Sequence, residues 1–131
     1  MKRIYHDYRR WEDFKNGMWR KVSKTEHEKL LPIAVEFTGD HEKYGSAMME
    51  VIQKWKYSCE NNLTDSSLNK KAWVGHAACS FKLNLPECVV RSAWKLLTDE
   101  QRYLANNQAD IAINMWVKKY LSKETRQLEI W

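Results

Sequence analysis

Two side chains in the middle of the sequence have the spacing of a metal-ligand pair. His76 and Cys79 are three residues apart, so on one helix both can reach the same ion. A structural zinc site needs a second pair, and the other histidines and cysteines show no ligand spacing: His27, His41, Cys59 and Cys88. We therefore predict no metal site, and we expect His76 to be a core histidine whose hydrogen bonds are satisfied.

A cluster of acidic side chains around a histidine is the other candidate for chemistry. Glu36, Asp40, His41 and Glu42 could supply acid and base groups. A junction between helices, with negative charge at a helix N-terminus, explains the same cluster. The sequence has no glycine-rich phosphate loop, no serine-hydrolase elbow and no zinc-protease motif. We predict that the protein is not an enzyme, has no catalytic residues and uses no cofactor.

The net positive charge lies at the N-terminal end of the chain. Residues 1–24 contain eight basic and three acidic residues, and this excess equals the net charge of +5 of the whole chain. Such a segment attracts phosphates or an acidic protein surface. Aromatic residues alternate with these cations, as in segments that stack on nucleic-acid bases. Tyr8, Trp11 and Phe14 share one helical face, however, which is typical of core residues.

The seven tryptophans are more than the core of one small domain conveniently buries. Tryptophan is enriched in binding hot spots, so we expect some of these rings at an interface, although tryptophan also fills wide gaps between helices. The predicted partner-binding residues are Arg3, Tyr5, Arg9, Arg10, Trp11, Lys15, Trp19, Arg20, Arg91 and Lys95.

The composition predicts a single all-α domain of five or six helices over residues 1–131, with 122–131 as a possible tail. A chain of 131 residues fits one domain, and four glycines and two prolines are too few for many short strands joined by turns. No apolar stretch approaches the roughly 20 residues that span a bilayer. Because the start also lacks a signal-type apolar run and the three cysteines show no disulfide framework, we expect a cytoplasmic protein without membrane contact.

Capping residues predict where the helices begin and end. Ser23 to Glu26 and Thr98 to Gln101 read as capping boxes, and Asn84 is suited to closing a helix in the left-handed conformation. The periodicity then predicts helices over 8–16, 23–38 with a kink at Pro32, 40–60, 66–83, 86–97 and 99–121. Small residues on the 66–83 helix, Gly75 among them, should let a neighbouring helix approach closely.

The segment 76–97 has the form of a helix-turn-helix. It reads as a helix, a tight turn at Asn84 and Leu85, and a short helix opened by Pro86, whose inner face includes Leu96. Arg91 and Lys95 are its only side chains suited to DNA. An ordinary helix hairpin explains the segment as well, and a small DNA-binding regulator is the alternative function.

Three stretches of the sequence resemble small uncharacterised proteins encoded by bacteriophages and prophages. They are the opening segment with Trp11-Glu12-Asp13-Phe14 and Gly17-Met18-Trp19, the stretch from Asn69 to Cys79, and the stretch from Trp94 to Gln101. The resemblance implies an inhibitor of host defence, of the anti-CRISPR kind, in the bacterial cytoplasm. The implied partner is a bacterial defence protein or ribonucleoprotein complex, and contact with nucleic acid stays open.

Overall fold

The computed structural model describes residues 11–121, where helices are the only regular secondary structure. The all-α prediction is confirmed, but the described range holds seven α-helices instead of five or six. They are α1 over residues 11–18, α2 (Lys24–Gly39), α3 (His41–Lys54), α4 (Lys56–Thr64), α5 (Lys70–Leu83), α6 (Glu87–Leu96) and α7 (Asp99–Trp116), followed by a π-helical turn, Val117–Leu121.

The predicted helix starts are confirmed where a side chain accepts a hydrogen bond from the first turn. Ser23 Oγ accepts from the Glu26 N–H at 3.2 Å, and Asp40 Oδ1 accepts from the Lys43 N–H at 3.3 Å. At Thr98 the reciprocal capping box is complete, because the side chain of Gln101 also accepts from the Thr98 N–H at 2.9 Å. Each cap satisfies backbone donors that the first helical turn leaves without a partner.

The predicted single helix over 40–60 is wrong, because Trp55 divides it. The backbone of Trp55 leaves helical geometry at φ −111° and ψ 31°, and α4 continues from Lys56 to Thr64. The ring of Trp55 is buried with 7% exposed and packs on Trp11, with ring centroids 5.4 Å apart. The division therefore coincides with a tertiary contact that helical periodicity does not encode.

Local side-chain bonds also move the start of α5 to a later residue than predicted. Asp65 Oδ1 accepts from the Ser67 N–H at 2.8 Å, which makes a turn, and Asn69 then caps α5. Pro86 precedes α6 instead of occupying its first position, and Asn84 closes α5 with φ 53°, as predicted.

The core is formed by α3 between α5 and α7, with α2 packed on α6. Mostly small and aliphatic side chains of α3, α5 and α7 fill it, including Ala47, Val51, Ala77, Ala78, Ala105, Ala109 and Ala112. The predicted close approach at Gly75 is confirmed. A β-carbon built on Gly75 would lie 2.0 Å from the hydroxyl of Tyr44, so α3 and α5 meet where α5 has no side chain.

Leu96, predicted on the inner face of its helix, lies on the surface, and exposed apolar residues also occur on α7. Leu96 is 62% exposed at the end of α6, and on α7 Ile111 and Met115 are 45% and 50% exposed. The buried residues of α7 are Ala105, Ala109, Ala112 and Trp116. Within residues 11–121, no helix combines the length and the apolar character required to cross a membrane.

Candidate binding surface

Trp11, predicted to contact a partner, lies in the core. Its side chain is 3% exposed and packs against three aromatic rings, with centroids 5.2 Å from Phe14, 5.4 Å from Trp55 and 5.8 Å from Trp73. The face shared by Trp11 and Phe14 therefore packs inward, which removes Trp11 from the surface. Four other predicted contact residues lie outside the described residues: Arg3, Tyr5, Arg9 and Arg10.

Trp19 differs from Trp11, because 52% of its side chain is exposed. The preceding residue, Met18, is fully buried and holds this end of α1 on the core. The Trp19 ring meets the His76 ring edge-on, with centroids 6.5 Å apart. A large aromatic ring is thus fixed on one side and open to solvent on the other, as in an interface anchor.

Arg20 makes an intramolecular cap instead of presenting a free charge. Its guanidinium donates to the Asn84 carbonyl at 2.9 Å, to Asn84 Oδ1 at 3.3 Å and to the Gly17 carbonyl at 3.0 Å. Its Nη2 also lies 3.9 Å from the Glu26 carboxylate. Arg20 therefore joins the end of α1 to the end of α5, where cationic side chains stabilise free carbonyl groups.

The two predicted contact residues of α6 are both exposed. Arg91 forms an ion pair with Glu87 one turn earlier on the helix, and Lys95 follows one turn later. Arg91 is also close enough to His76 to influence its protonation. Trp19, which follows α1, therefore lies beside His76 of α5, and Arg91 of α6 lies near the same histidine. We call these three residues, together with Lys95, the Trp19 surface. Lys15, also predicted to contact a partner, is half-buried on α1.

His76 is not the satisfied core histidine that the sequence predicted. Its ring is half-buried, and its Nδ1 atom is buried without a hydrogen-bond partner. Burial lowers the pKa of His76, and the charge of Arg91 lowers it further while Glu87 opposes the change. The imidazole is therefore held towards its neutral form.

This depressed pKa makes stability depend on pH. An unfolded histidine titrates near about 6.5, so below that pH the unfolded chain binds more protons at this site than the folded chain. We expect the free energy of unfolding to decrease less between pH 7 and pH 5 in the H76Q variant than in the wild type. Urea titrations across this range measure the difference, with H41Q as a control that removes a histidine elsewhere. Equal pH slopes in the wild type and H76Q would contradict this assignment.

A groove of about 370 Å³ begins beside His76 and runs between α5, α6 and α7. The Tyr44 side chain, 5% exposed, lines it from α3, and an ion pair of 3.1 Å between Lys71 and Asp110 spans α5 and α7 near it. The remaining lining residues are Asn69, Ala72, Val90, Trp94, Ala105, Asn106 and Ala109. Sequence reasoning missed Tyr44 and Trp94 as surface-lining residues, because the periodicity of one helix does not show where three helices leave a gap.

In the predicted helix-turn-helix, the second helix is α6, and its N-terminal end is covered where contacts with DNA bases would be made. Leu85 is fully buried, Pro86 is among the buried residues, and Glu87 is paired with Arg91 at the start of α6. A recognition helix contacts base edges with its N-terminal residues, and these residues are covered here.

Cys79 of the candidate metal pair and Asp40 of the acidic cluster both have structural roles. Cys79 is fully buried, and burial raises the pKa of its thiol to about 12, which keeps the thiol protonated. Asp40 caps α3 and lies 4.0 Å from Lys43. Across residues 11–121, no group of three or more His, Cys, Asp and Glu side chains is arranged to hold a metal ion.

Comparison with known proteins finds no relative of this chain. No family model, no curated protein and no solved structure matches the chain.

Proposed function

We propose that the protein is a non-enzymatic inhibitor that acts by stoichiometric binding to a bacterial immune complex, through the Trp19 surface. The observation that carries the proposal is the half-exposed Trp19 ring, fixed by Met18 and His76 beside a groove. Tryptophan in such a setting supplies a large contact area at low conformational cost.

The charge around Trp19 favours an acidic region of a protein partner. Lys21 and Lys24 follow Trp19 closely in the chain and are exposed, and Lys95 is exposed on α6. A positive surface cannot imitate the charge of DNA. An inhibitor with this surface would cover an acidic region of the target or hold one of its conformations. The resemblance of three stretches to phage and prophage proteins supports a defence complex as the target.

We expect the W19A variant to bind the target at least about 30-fold more weakly than the wild type, the loss that a hot-spot tryptophan typically produces. The target is first isolated from bacterial lysate with tagged protein, and affinities are then measured by titration calorimetry. I33A is the matched control, because Ile33 is 46% exposed on α2 and lines a different groove, with Glu36 and Lys82. Equal affinities for W19A and wild type would refute the proposed surface.

Lys95 should contribute mainly through charge. In the same titrations, K95A should weaken binding only a few-fold and reduce its dependence on salt, as rim charges do. Duplex DNA is titrated in parallel at about 50 and 200 mM salt. Strong binding to DNA that falls steeply with salt, without capture of a protein complex, would overturn the inhibitor proposal in favour of a regulator.

A further inference from the structure

A second surface, on the flank of α7 that borders α3, carries exposed apolar side chains at regular spacing. Leu104, Ile111 and Met115 follow one another at steps of seven and four residues, and at 100° per residue they fall in a stripe about 40° wide. Ile111 is 45% and Met115 50% exposed, and Leu104 is partly exposed. Gln108, whose side chain borders Gly45 of α3, occupies the remaining position of this heptad-like pattern, so the α7 stripe is defined as Leu104, Gln108, Ile111 and Met115.

The two ends of the α7 stripe carry opposite charges. Glu100 is exposed in the first turn of α7, and Lys118 and Lys119 are exposed in the π-helical turn that follows it. Among residues 11–121, Glu100 and Lys118 form no ion pair with one another or with any other side chain. A surface that is acidic at one end and basic at the other is complementary to a reversed copy of itself.

From these two features we propose that the protein forms a homodimer in which α7 packs antiparallel on α7 of a second copy. The heptad spacing places Leu104 opposite Met115 of the partner subunit, and Ile111 opposite Gln108 of the partner subunit. Glu100 then faces Lys118 and Lys119 of the partner subunit, whereas a parallel pair would bring like charges together.

The size of the surface sets the strength of this dimer. An α-helix of 18 residues is about 27 Å long, so α7 contributes a contact several turns in length. One helix face buries less than the roughly 800 Å² per partner of a standard interface. The dimer is therefore weak, with a dissociation constant in the micromolar range, and it depends on protein concentration.

Disulfide cross-linking of the full chain tests both the contact and its orientation. In the L104C/M115C variant, the cysteine at position 104 of each copy faces the cysteine at position 115 of the other copy. Mild oxidation should therefore give a covalent dimer on a non-reducing gel. L104C alone gives little dimer, because the two copies of residue 104 lie at opposite ends of the contact. Wild type controls for the native thiols, of which Cys59 and Cys79 are buried. Efficient cross-linking of L104C alone would indicate a parallel pair and overturn the proposal.

Sedimentation velocity over a range of concentrations provides an independent test. M115E should shift the full chain to monomer and weaken association by at least about tenfold, which corresponds to 1.4 kcal/mol. L83E is the matched control, since Leu83 is 43% exposed on α5. A wild type that stays monomeric at several hundred micromolar would refute the dimer. A dimer that appears only after truncation beyond Leu121 would also refute it, because the chain's own C-terminal segment would then cover the α7 stripe.

Discussion

The W11A variant should lose about 3–5 kcal/mol of unfolding free energy, the range for removing a buried large aromatic side chain. Trp11 is 3% exposed, and its ring contacts Phe14 on the same helix and two rings from other parts of the chain, Trp55 between α3 and α4 and Trp73 of α5. Alanine would leave a cavity where these elements meet. The measurement is urea unfolding followed by far-ultraviolet circular dichroism, which does not depend on tryptophan emission.

The W19A variant is the matched control for W11A. Both replacements remove a tryptophan from the same basic segment, but Trp19 is 52% exposed and rests on His76 alone among the aromatic rings described. We expect W19A to lower the unfolding free energy by at most about 1 kcal/mol, as for most surface substitutions. A domain of this kind is stable by about 5–15 kcal/mol, so the difference between the two variants is easily resolved. Equal losses would show that Trp11 does not occupy the core.

The second large effect is expected at Gly75, where α5 meets Tyr44 of α3. A β-carbon at residue 75 would lie 2.0 Å from the Tyr44 hydroxyl oxygen and 3.1 Å from Cζ. The Tyr44 ring is buried and packs on Phe37, with centroids 5.9 Å apart, so it cannot easily move away. G75A should lower the unfolding free energy by about 1–3 kcal/mol, as overpacking typically does, even though alanine is favoured over glycine in a helix by about 1 kcal/mol.

A second glycine provides the control for G75A. A β-carbon at Gly45 would lie 2.3 Å from Gln108 Oε1, the end of a flexible side chain that can rotate away. We therefore expect G45A to be neutral or slightly stabilising. Replacing Tyr44 by phenylalanine removes the hydroxyl that G75A would meet, so the double variant Y44F/G75A should recover part of the loss. Equal stabilities of G75A and G45A would contradict the close approach of α3 and α5 at Gly75.

Helix ends were the part of the fold that the sequence predicted best. The caps at Ser23, Asp40 and Thr98 and the left-handed Asn84 depend on hydrogen bonds within a few residues, and these are visible in the sequence. The division at Trp55 was not visible, because it accompanies the packing of that ring on Trp11 from a distant part of the chain.

The binding surface was predicted only in part, for a related reason. Trp11 and Trp19 lie in one basic, aromatic segment, and composition does not distinguish the buried ring from the exposed one. The sequence did not show that Arg20 is hydrogen-bonded, because its partner at the end of α5 is distant in the chain. The groove beside His76 depends on how α5, α6 and α7 diverge, which no pattern along one helix encodes.

The contact between Arg20 and Asn84 also affects the thermodynamics of recognition. Because these hydrogen bonds join residues 64 positions apart, the backbone immediately after the Trp19 anchor is already immobilised in the free protein. Association therefore requires little additional ordering at this point, and the entropic penalty of complex formation is correspondingly small. The R20A variant would lose these hydrogen bonds. The indole ring of Trp19 would remain but would be held less rigidly, so we expect slower association with the partner and faster dissociation.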